Sequence, residues 1–481
     1  MKLINPLIII RILGTILLIE TISFLLCLPV ALIYDEPLLP LLWSALITGI
    51  LFIIFRISTI KADINNFSNR DGYVAVTLSW ILFSIMGTLP YIFSGSIPSF
   101  IKAFFEASSG FTTTGATVIQ DIESISYSIL FWRSLTHWIG GIGIIVLVII
   151  ILPSLKITGH QLLSLESSLK EKIHPKTKGI GFRLLFIYLG LTVAEIFFLS
   201  MGEMNLFDSV CHSFGTVATG GFSTKNAGVA AYSDYSQYVI MIFMFLAGVS
   251  YVVYYYIVKF KFNRVFKNEE LWFYVGVTLV TGIVMMMILL LKVKSPFETA
   301  FRDAFFQVIS IITTTGFITK DYLLWPAAGI TIIFLMMFAG ASSGSTTGSI
   351  KMARHLVVIK NIKIVFTRLV HPKVILQTRI NSKPLPEATN LSMVSFVVLY
   401  LFIFIAGTVI IILTGLDPVT AASGVATTLG NIGPGLGTLG PMFNYAHLSN
   451  LTLFIFSLLM IIGRLEILTF FALFAKSFWK L

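Results

Sequence analysis

Charge is what this 481-residue chain has least of. Only 11% of its residues are Asp, Glu, Lys or Arg, where a soluble globular chain carries nearer a quarter. With a hydrophobic fraction of 56%, that scarcity excludes a water-soluble domain and points to a polytopic membrane protein with room for about ten helices of roughly 20 residues. Cysteine is nearly absent as well. Cys27 and Cys211 sit in or beside apolar runs and allow neither a disulfide framework nor a cysteine metal site. No nucleophile–base pair, metal cluster or catalytic dyad is visible, so the chain reads as a non-enzyme with no organic cofactor. Acidic residues number 22 against 33 basic ones. In a soluble protein that excess would suggest nucleic acid, but here it is confined to particular loops, and no nucleic-acid partner is expected.

Those loops alternate. Lys156, Lys170, Lys172, Lys176, Lys178 and Arg183 follow Pro153; Lys259, Lys261, Arg264 and Lys267 form a second group; Lys351–Lys383 holds a third. Loops of the opposite parity hold Asp35, Glu36, Asp121, Glu123, Glu203, Asp208 and Asp417. The positive-inside rule makes the first set cytoplasmic, with both termini on the same side. Apolar segments at 4–34, 38–60, 73–93, 126–152, 183–201, 235–258, 272–291, 323–358, 391–413 and 448–479 are expected to span. The first is broken by Arg11 and Glu20 and lacks a small-residue cleavage site, so it reads as an uncleaved helix rather than a signal peptide.

Against this apolar background, four Thr/Gly-rich segments recur: Thr112-Thr113-Thr114-Gly115, Ala218-Thr219-Gly220-Gly221, Thr313-Thr314-Thr315-Gly316 and Gly430-Asn431-Ile432-Gly433. Each follows an apolar run too short to span, at 100–110, 207–217, 297–312 and 418–429. Threonine is stiff at χ1 and glycine costly in entropy, so such segments break helices. Irregular backbone at membrane depth persists only where protein buries it or where it lines a watery cavity. Close helix packing on small residues accounts for one or two such sites; four at equivalent places suggest four quarters of a pore whose carbonyls replace the water shell of a cation. No carboxylate lies within the segments, which favours a monovalent ion. Glu106, Asp208, Asp303 and Asp417 precede them, either as helix caps and solvated mouth residues or as groups that concentrate cations at a vestibule.

The expected fold class is therefore an all-α polytopic membrane protein. Four pseudo-repeats of helix, pore helix, filter loop and helix surround one ion pore, beside an extra N-terminal two-helix hairpin. The expected divisions are the hairpin at 1–70 and repeats at 71–160, 161–268, 269–375 (with a broken second helix) and 376–481. The filter set is Thr112, Thr113, Gly115, Ala218, Thr219, Gly221, Thr313, Thr314, Gly316, Gly430, Asn431 and Gly433.

The strings Ser109–Ala116 (SGFTTTGA), Arg133–Gly143 (RSLTHWIGGIG), Thr219–Thr224 (TGGFST), Gly344–Lys351 (GSTTGSIK), Asn431–Gly435 (NIGPG) and Gly463–Glu466 (GRLE) together resemble the Trk/Ktr/HKT superfamily of potassium transporters. The extra hairpin favours its TrkH-like branch. The resemblance covers nearly the whole chain. It implies a homodimer in the bacterial inner membrane, K+ as the transported ion, contact with membrane lipids and a cytosolic nucleotide-binding regulatory ring of the TrkA type. Ion-coupled symport is compatible with it. A sodium-permeable or weakly selective member of the same architecture is the alternative; plant relatives that carry sodium have serine in the first filter, where this chain has Gly115.

Two further features gain roles from the resemblance. Gly340–Lys351 (GASSGSTTGSIK) lies in a segment too long for one span, and Gly and Ser there kink or unwind a helix. In the family this break supplies an intramembrane loop that gates permeation, which marks Gly340, Gly344 and Gly348; the family's two adjacent glycines are here Gly348-Ser349. Arg464 stands within the last apolar segment, where a charge needs a cavity or a partner. It reads either as half of an interhelical ion pair or, as the family implies, as a positive barrier beside the gating loop. Gly435–Gly440 (GLGTLG) fits a dinucleotide-binding pattern but follows a filter segment and lacks any βαβ context. No segment has the basic residue at every third position that a voltage sensor needs.

Overall fold

In the computed structural model the described residues are 4–60, 68–146 and 176–479. The basic stretch Lys156–Lys172 and the end of the apolar segment 126–152 lie outside them. Among the described residues six helices are long and apolar enough to cross a membrane: Pro6–Ile33, Leu39–Ser58, Arg70–Phe93, Arg183–Ser200, Glu269–Val293 and Glu387–Leu413. The first two pack along each other as a hairpin. Small residues let them approach: Gly14 lies against Phe55, and Thr21 Oγ1 donates to Thr48 Oγ1 at 2.9 Å.

Four shorter helices stand apart from these: Phe100–Phe111, Leu206–Val217, Phe297–Ile312 and Pro418–Gly430. Their starts are written in the sequence. Asn205 and Asp417 accept N–H bonds from the first turn, and Pro296 fixes the entry to the third. Their ends are written too, in the Thr/Gly segments that follow.

Two apolar segments expected as single spans are not continuous helices, and a third, 323–358, carries the break expected of it. The segment 235–258 is two helices, Asp234–Ala247 and Tyr251–Val258, bent by 92° at Gly248–Ser250. The segment 323–358 holds Ala327–Met336 and then an irregular stretch, before a helix resumes at Met352–Val370. The stretch is closed by a two-residue parallel bridge of Ala339–Gly340 with Ile350–Lys351. The last segment breaks at Arg464; Glu466 has φ +61, and the short helix Ile467–Ala472 and a 3-10 turn at Lys476–Phe478 follow. Arg464 is thus the final residue of Asn450–Arg464 and does not lie in the middle of a long helix.

Packing runs in a cycle. Phe100–Phe111 lies against Asn450–Arg464, Leu206–Val217 against Tyr127–Val146, and Phe297–Ile312 against Asp234–Ala247. Ala426 of the fourth short helix shares a hydrophobic cluster with Ile333 and Met337. Each short helix therefore packs on the helix that follows the previous Thr/Gly segment. This order draws the four segments together.

Candidate functional site: a ring of four glycine loops

All four short helices end in the same way. Thr113, Thr219, Thr314 and Asn431 adopt left-handed backbone, with φ of 52, 58, 54 and 55. Their N–H groups reach back three residues, to Gly110, Thr216, Ile311 and Thr428; the next N–H reaches back five, to Ser109, Gly215, Ser310 and Thr427. This is the Schellman arrangement, which satisfies carbonyls a helix end would leave orphaned. Glycine or asparagine is usual at the left-handed position, and a β-branched residue there is strained. Two residues on stand Gly115, Gly221, Gly316 and Gly433, again at positive φ: 80, 81, 76 and 102. The fourth segment is the most divergent in sequence, yet its backbone takes the same course.

The loops close into a ring. Gly115 lies against the carbonyl oxygen of Gly220, Gly221 against that of Thr315, Gly316 against that of Ile432, and Gly433 against that of Thr114. A methyl group added at any of the four would come within 3.0 Å of that oxygen. Glycine is thus required at each position both by its φ and by its neighbour. Side chains repeat as well: Thr112 Oγ1 and Thr114 Oγ1 are 2.7 Å apart, and Thr313 Oγ1 and Thr315 Oγ1 are 2.9 Å apart.

Each outgoing strand is tied to its own short helix by a polar side chain buried at mid-helix. Glu106 accepts from Thr117 Oγ1 and Val118 N–H, and His212 Nε2 meets Ser223 Oγ at 2.9 Å. Gln307 donates to Thr319 Oγ1, while Ser423 Oγ accepts from Leu436 N–H. The junction of the first two loops has an extra clamp on the helix Tyr127–Val146. Arg133 pairs with Glu106 at 2.7 Å, donates to Ser223 O and covers one side of the Phe222 ring. His137 stacks on that ring as well. Its Nδ1 is 2.7 Å from Gly110 O, and its Nε2 is 3.2 Å from Phe222 N. A carbonyl can only accept and an amide N–H only donate, so the imidazole is neutral with its proton on Nδ1.

On one face the ring opens into a depression lined by all four glycines, by Ala116, Pro434 and Tyr445, and by Lys225 and Arg133. Among the described residues that line it none is a carboxylate. This favours the cap reading of the four acids over the vestibule one. Glu106 is buried in its ion pair, Asp208 accepts from Thr224 Oγ1 and Asn205 Nδ2, and Asp303 is buried. Asp417 is an exposed N-cap, held below the usual carboxylate pKa by hydrogen bonds from Thr420.

On the other face the stretch Gly340–Lys351 lies against the bases of the loops. Gly348 N–H donates to Thr314 Oγ1 at 2.8 Å, and Thr346 Oγ1 donates to Val217 O and lies 3.3 Å from Thr219 Oγ1. Gly348 is pressed against Gly430 O, Gly344 has φ +78, and Gly340 is pressed against Gly348 O. Ser349 takes φ +53. Arg464 is buried and donates to Thr346 O at 2.6 Å and to Gly140 O at 3.3 Å. Both of these partners are carbonyls. The ion pair one reading expected of it belongs instead to its neighbour Glu466, which meets Arg354. Lys351 folds back onto Thr347.

Sequence reasoning missed the clamp and the bend. Arg133 could have been found, because an arginine inside an apolar run needs a partner, and Glu106 is the buried acid nearby. His137 carried no comparable signal.

Known proteins resemble the chain along most of its length. A profile of the TrkH family, described as cation transport protein, matches residues 44–481. The Trk system potassium uptake protein TrkH of Salmonella typhimurium is 36% identical over 419 residues, covering 86% of each chain. TrkI of Halomonas elongata, also named a Trk system potassium uptake protein, is 34% identical over 415 residues, covering 85% of this chain and 84% of its own. The crystal structure of the potassium transporter TrkH from Vibrio parahaemolyticus superposes with a TM-score of 0.89 at 30% identity, covering 98% of this chain and 99% of that one.

Proposed function

The chain belongs to the TrkH family of cation transport proteins, and from that premise we propose that it takes up potassium through the ring of four glycine loops. The family is one of transporters, not enzymes. The observation that carries the proposal is the cyclic contact of Gly115, Gly221, Gly316 and Gly433 with the carbonyl before the next glycine. Four strained loops bring main-chain oxygens together with no carboxylate among them, which suits a dehydrated monovalent cation. The filter residues are those named from the sequence, and the chain divides into the hairpin 1–70 and four units at 71–160, 161–268, 269–375 and 376–481.

The stretch Gly340–Lys351 and Arg464 form the gate. Glycine and serine let the stretch move at small cost, and the guanidinium opposes a cation at close range in a medium of low dielectric. The protein is read as multi-pass in the inner membrane. Its basic loops and termini are cytoplasmic, its depression faces out, and the surrounding lipids cover its apolar helices. An inside-negative potential supplies roughly 2.3 kcal/mol per 100 mV for one charge, enough for about 50-fold accumulation; coupling to a second ion would add to it. Homodimerisation and docking of a nucleotide-binding regulatory ring fit the helix Met352–Val370, where exposed Phe366 and Leu369 adjoin exposed Lys363 and Arg368.

Growth tests the proposal. Expressed in bacteria that lack their own potassium uptake systems, the chain should restore growth at low external potassium. No rescue by well-expressed protein together with its regulatory partner would refute it. A weakly selective pore, the second reading, would rescue growth only at low sodium.

A further inference from the structure

The helix Glu269–Ile288 begins with two carboxylates after the cap Asn268, whose side chain accepts from Leu271 N–H. Glu269 turns outward to pair with Lys360. Glu270 turns inward and is buried. A single oxygen of Glu270, Oε1, accepts two backbone N–H groups, from Ser343 at 2.5 Å and from Ala353 at 3.1 Å. Ser343 lies on the entry arm of the irregular stretch, and Ala353 lies in the first turn of Met352–Val370 just after its exit. First-turn N–H groups have no intrahelical acceptor. The carboxylate thus joins the two arms of the stretch from outside it.

The rest of the neck is mostly backbone: the bridge of Ala339–Gly340 with Ile350–Lys351, and Met352 N–H donating to Ala341 O at 3.1 Å, with Ser349 Oγ adding a bond to Met337 O at 2.9 Å. The entry arm also completes the 92° bend. Ser342 N–H donates to Gly248 O and Tyr251 N–H donates to Gly344 O, both at 3.1 Å. Those are groups that the bend would otherwise leave unpaired in an apolar surrounding, where each is costly. The tip, by contrast, touches the ring through single hydrogen bonds from Thr346 and Gly348.

We propose that Glu270 is the latch that keeps the tip Ser345–Gly348 seated beneath the ring, a positioning residue for gating. The proposal rests on the reading of this stretch as the gate. A charged acceptor shared by two buried N–H groups is strong, and its loss orphans both. With the arms parted, the tip has only its single bonds to the ring and the one that Thr346 O accepts from Arg464 to hold it.

The test uses the full-length protein carrying Ser343→Cys, with Cys27 and Cys211 left in place because both are buried. Two quantities are measured in vesicles: the rate at which a charged thiosulfonate reagent modifies Cys at 343 from the face of the basic loops, and rubidium uptake. Glu270→Ala should raise both by about tenfold, equivalent to roughly 1.4 kcal/mol. Glu270→Gln keeps an oxygen that can accept both N–H groups and should stay near the parent. Glu270→Asp, which draws the oxygen back by one methylene, should fall between and serves if the alanine variant does not fold. Unchanged modification in folded Glu270→Ala would overturn the latch. Equal acceleration in the Gln and Ala variants would overturn its acceptor chemistry. Faster modification with unchanged uptake would uphold the latch and sink the gate reading instead.

Discussion

In the ring, four stretches of chain far apart in sequence take one backbone course: left-handed at Thr113, Thr219, Thr314 and Asn431, then positive φ again two residues on. Beneath it, equivalence ends. The helices that follow the loops differ: Tyr127–Val146 is continuous as far as it is described, the second is bent by 92°, the third is opened into Gly340–Lys351, and the fourth stops at Arg464. The ring is held by one close main-chain contact repeated four times, whereas the stretch beneath is held by a set of main-chain and side-chain bonds that occurs once. Four-fold equivalence suits a fixed set of carbonyls, and a single asymmetric segment suits something that moves. The proposed division into filter and gate follows from that contrast.

The sharpest way to break it is a methyl group in the ring. Gly221→Ala puts a side chain on backbone at φ +81 and against Thr315 O. Strain and overpacking together cost about 3 kcal/mol or more, so potassium uptake should fall by about 100-fold while expression and monodispersity hold. Uptake close to the parent's would mean that the ring is not the filter.

Arg464→Ala acts on the other half of the comparison. It removes a buried charge bonded to Thr346 O. Uptake should rise by roughly tenfold, a fraction of the few kcal/mol that a unit charge exerts at about 4 Å, and the order of ion preference should not change. A deletion within Ser342–Thr347 should do the same. Reduced flux in folded protein, or collapsed selectivity, would make Arg464 a structural residue.

Gly115→Ser separates selection from conduction. The hydroxymethyl group crowds Gly220 O at one quarter of the ring only, and relative sodium uptake should increase by about tenfold in a competition assay, about 1.4 kcal/mol. An unchanged ratio would detach Gly115 from selectivity.

Much of the ring was legible because its geometry demands particular residues. Helix-breaking threonine and glycine after four short runs mark where helices end, and only glycine fits Gly115, Gly221, Gly316 and Gly433. The bend at Gly248–Ser250 was not read: one Gly and one Ser inside an apolar run are a weak kink signal, and the groups that satisfy the break come from Ser342 and Gly344, almost a hundred residues away. The end of the last helix was hidden likewise: Leu465 and Ile467 continue the apolar pattern, while Glu466 is drawn aside to Arg354. The acidic residues left two readings open, because loop charge indicates a side of the membrane, not which residues line a depression.

The smaller effects on transport concern those acids. Glu106→Gln breaks a buried pair with Arg133, and thermal unfolding in detergent should show a loss of about 3–5 kcal/mol, a larger effect than any on ion preference. Asp417→Asn should leave selectivity and flux within about twofold, since its side chain caps a helix and asparagine caps as well. The depressed pKa of Asp417 sets the sign of its pH effect: its cap is at full strength above the ordinary carboxylate pKa and is lost as pH falls through the depressed one. A marked loss of potassium affinity in Asp417→Asn would restore the vestibule role.

Rubidium uptake into proteoliposomes, driven by an inside-negative potential and competed with either potassium or sodium, tests the central claim most directly. Potassium should displace rubidium at concentrations where sodium does not, with Arg464→Ala showing faster uptake and the same order. Equal displacement by sodium and potassium would contradict a potassium-selective ring, and no potential-driven uptake in the parent and in Arg464→Ala alike would contradict a pore altogether.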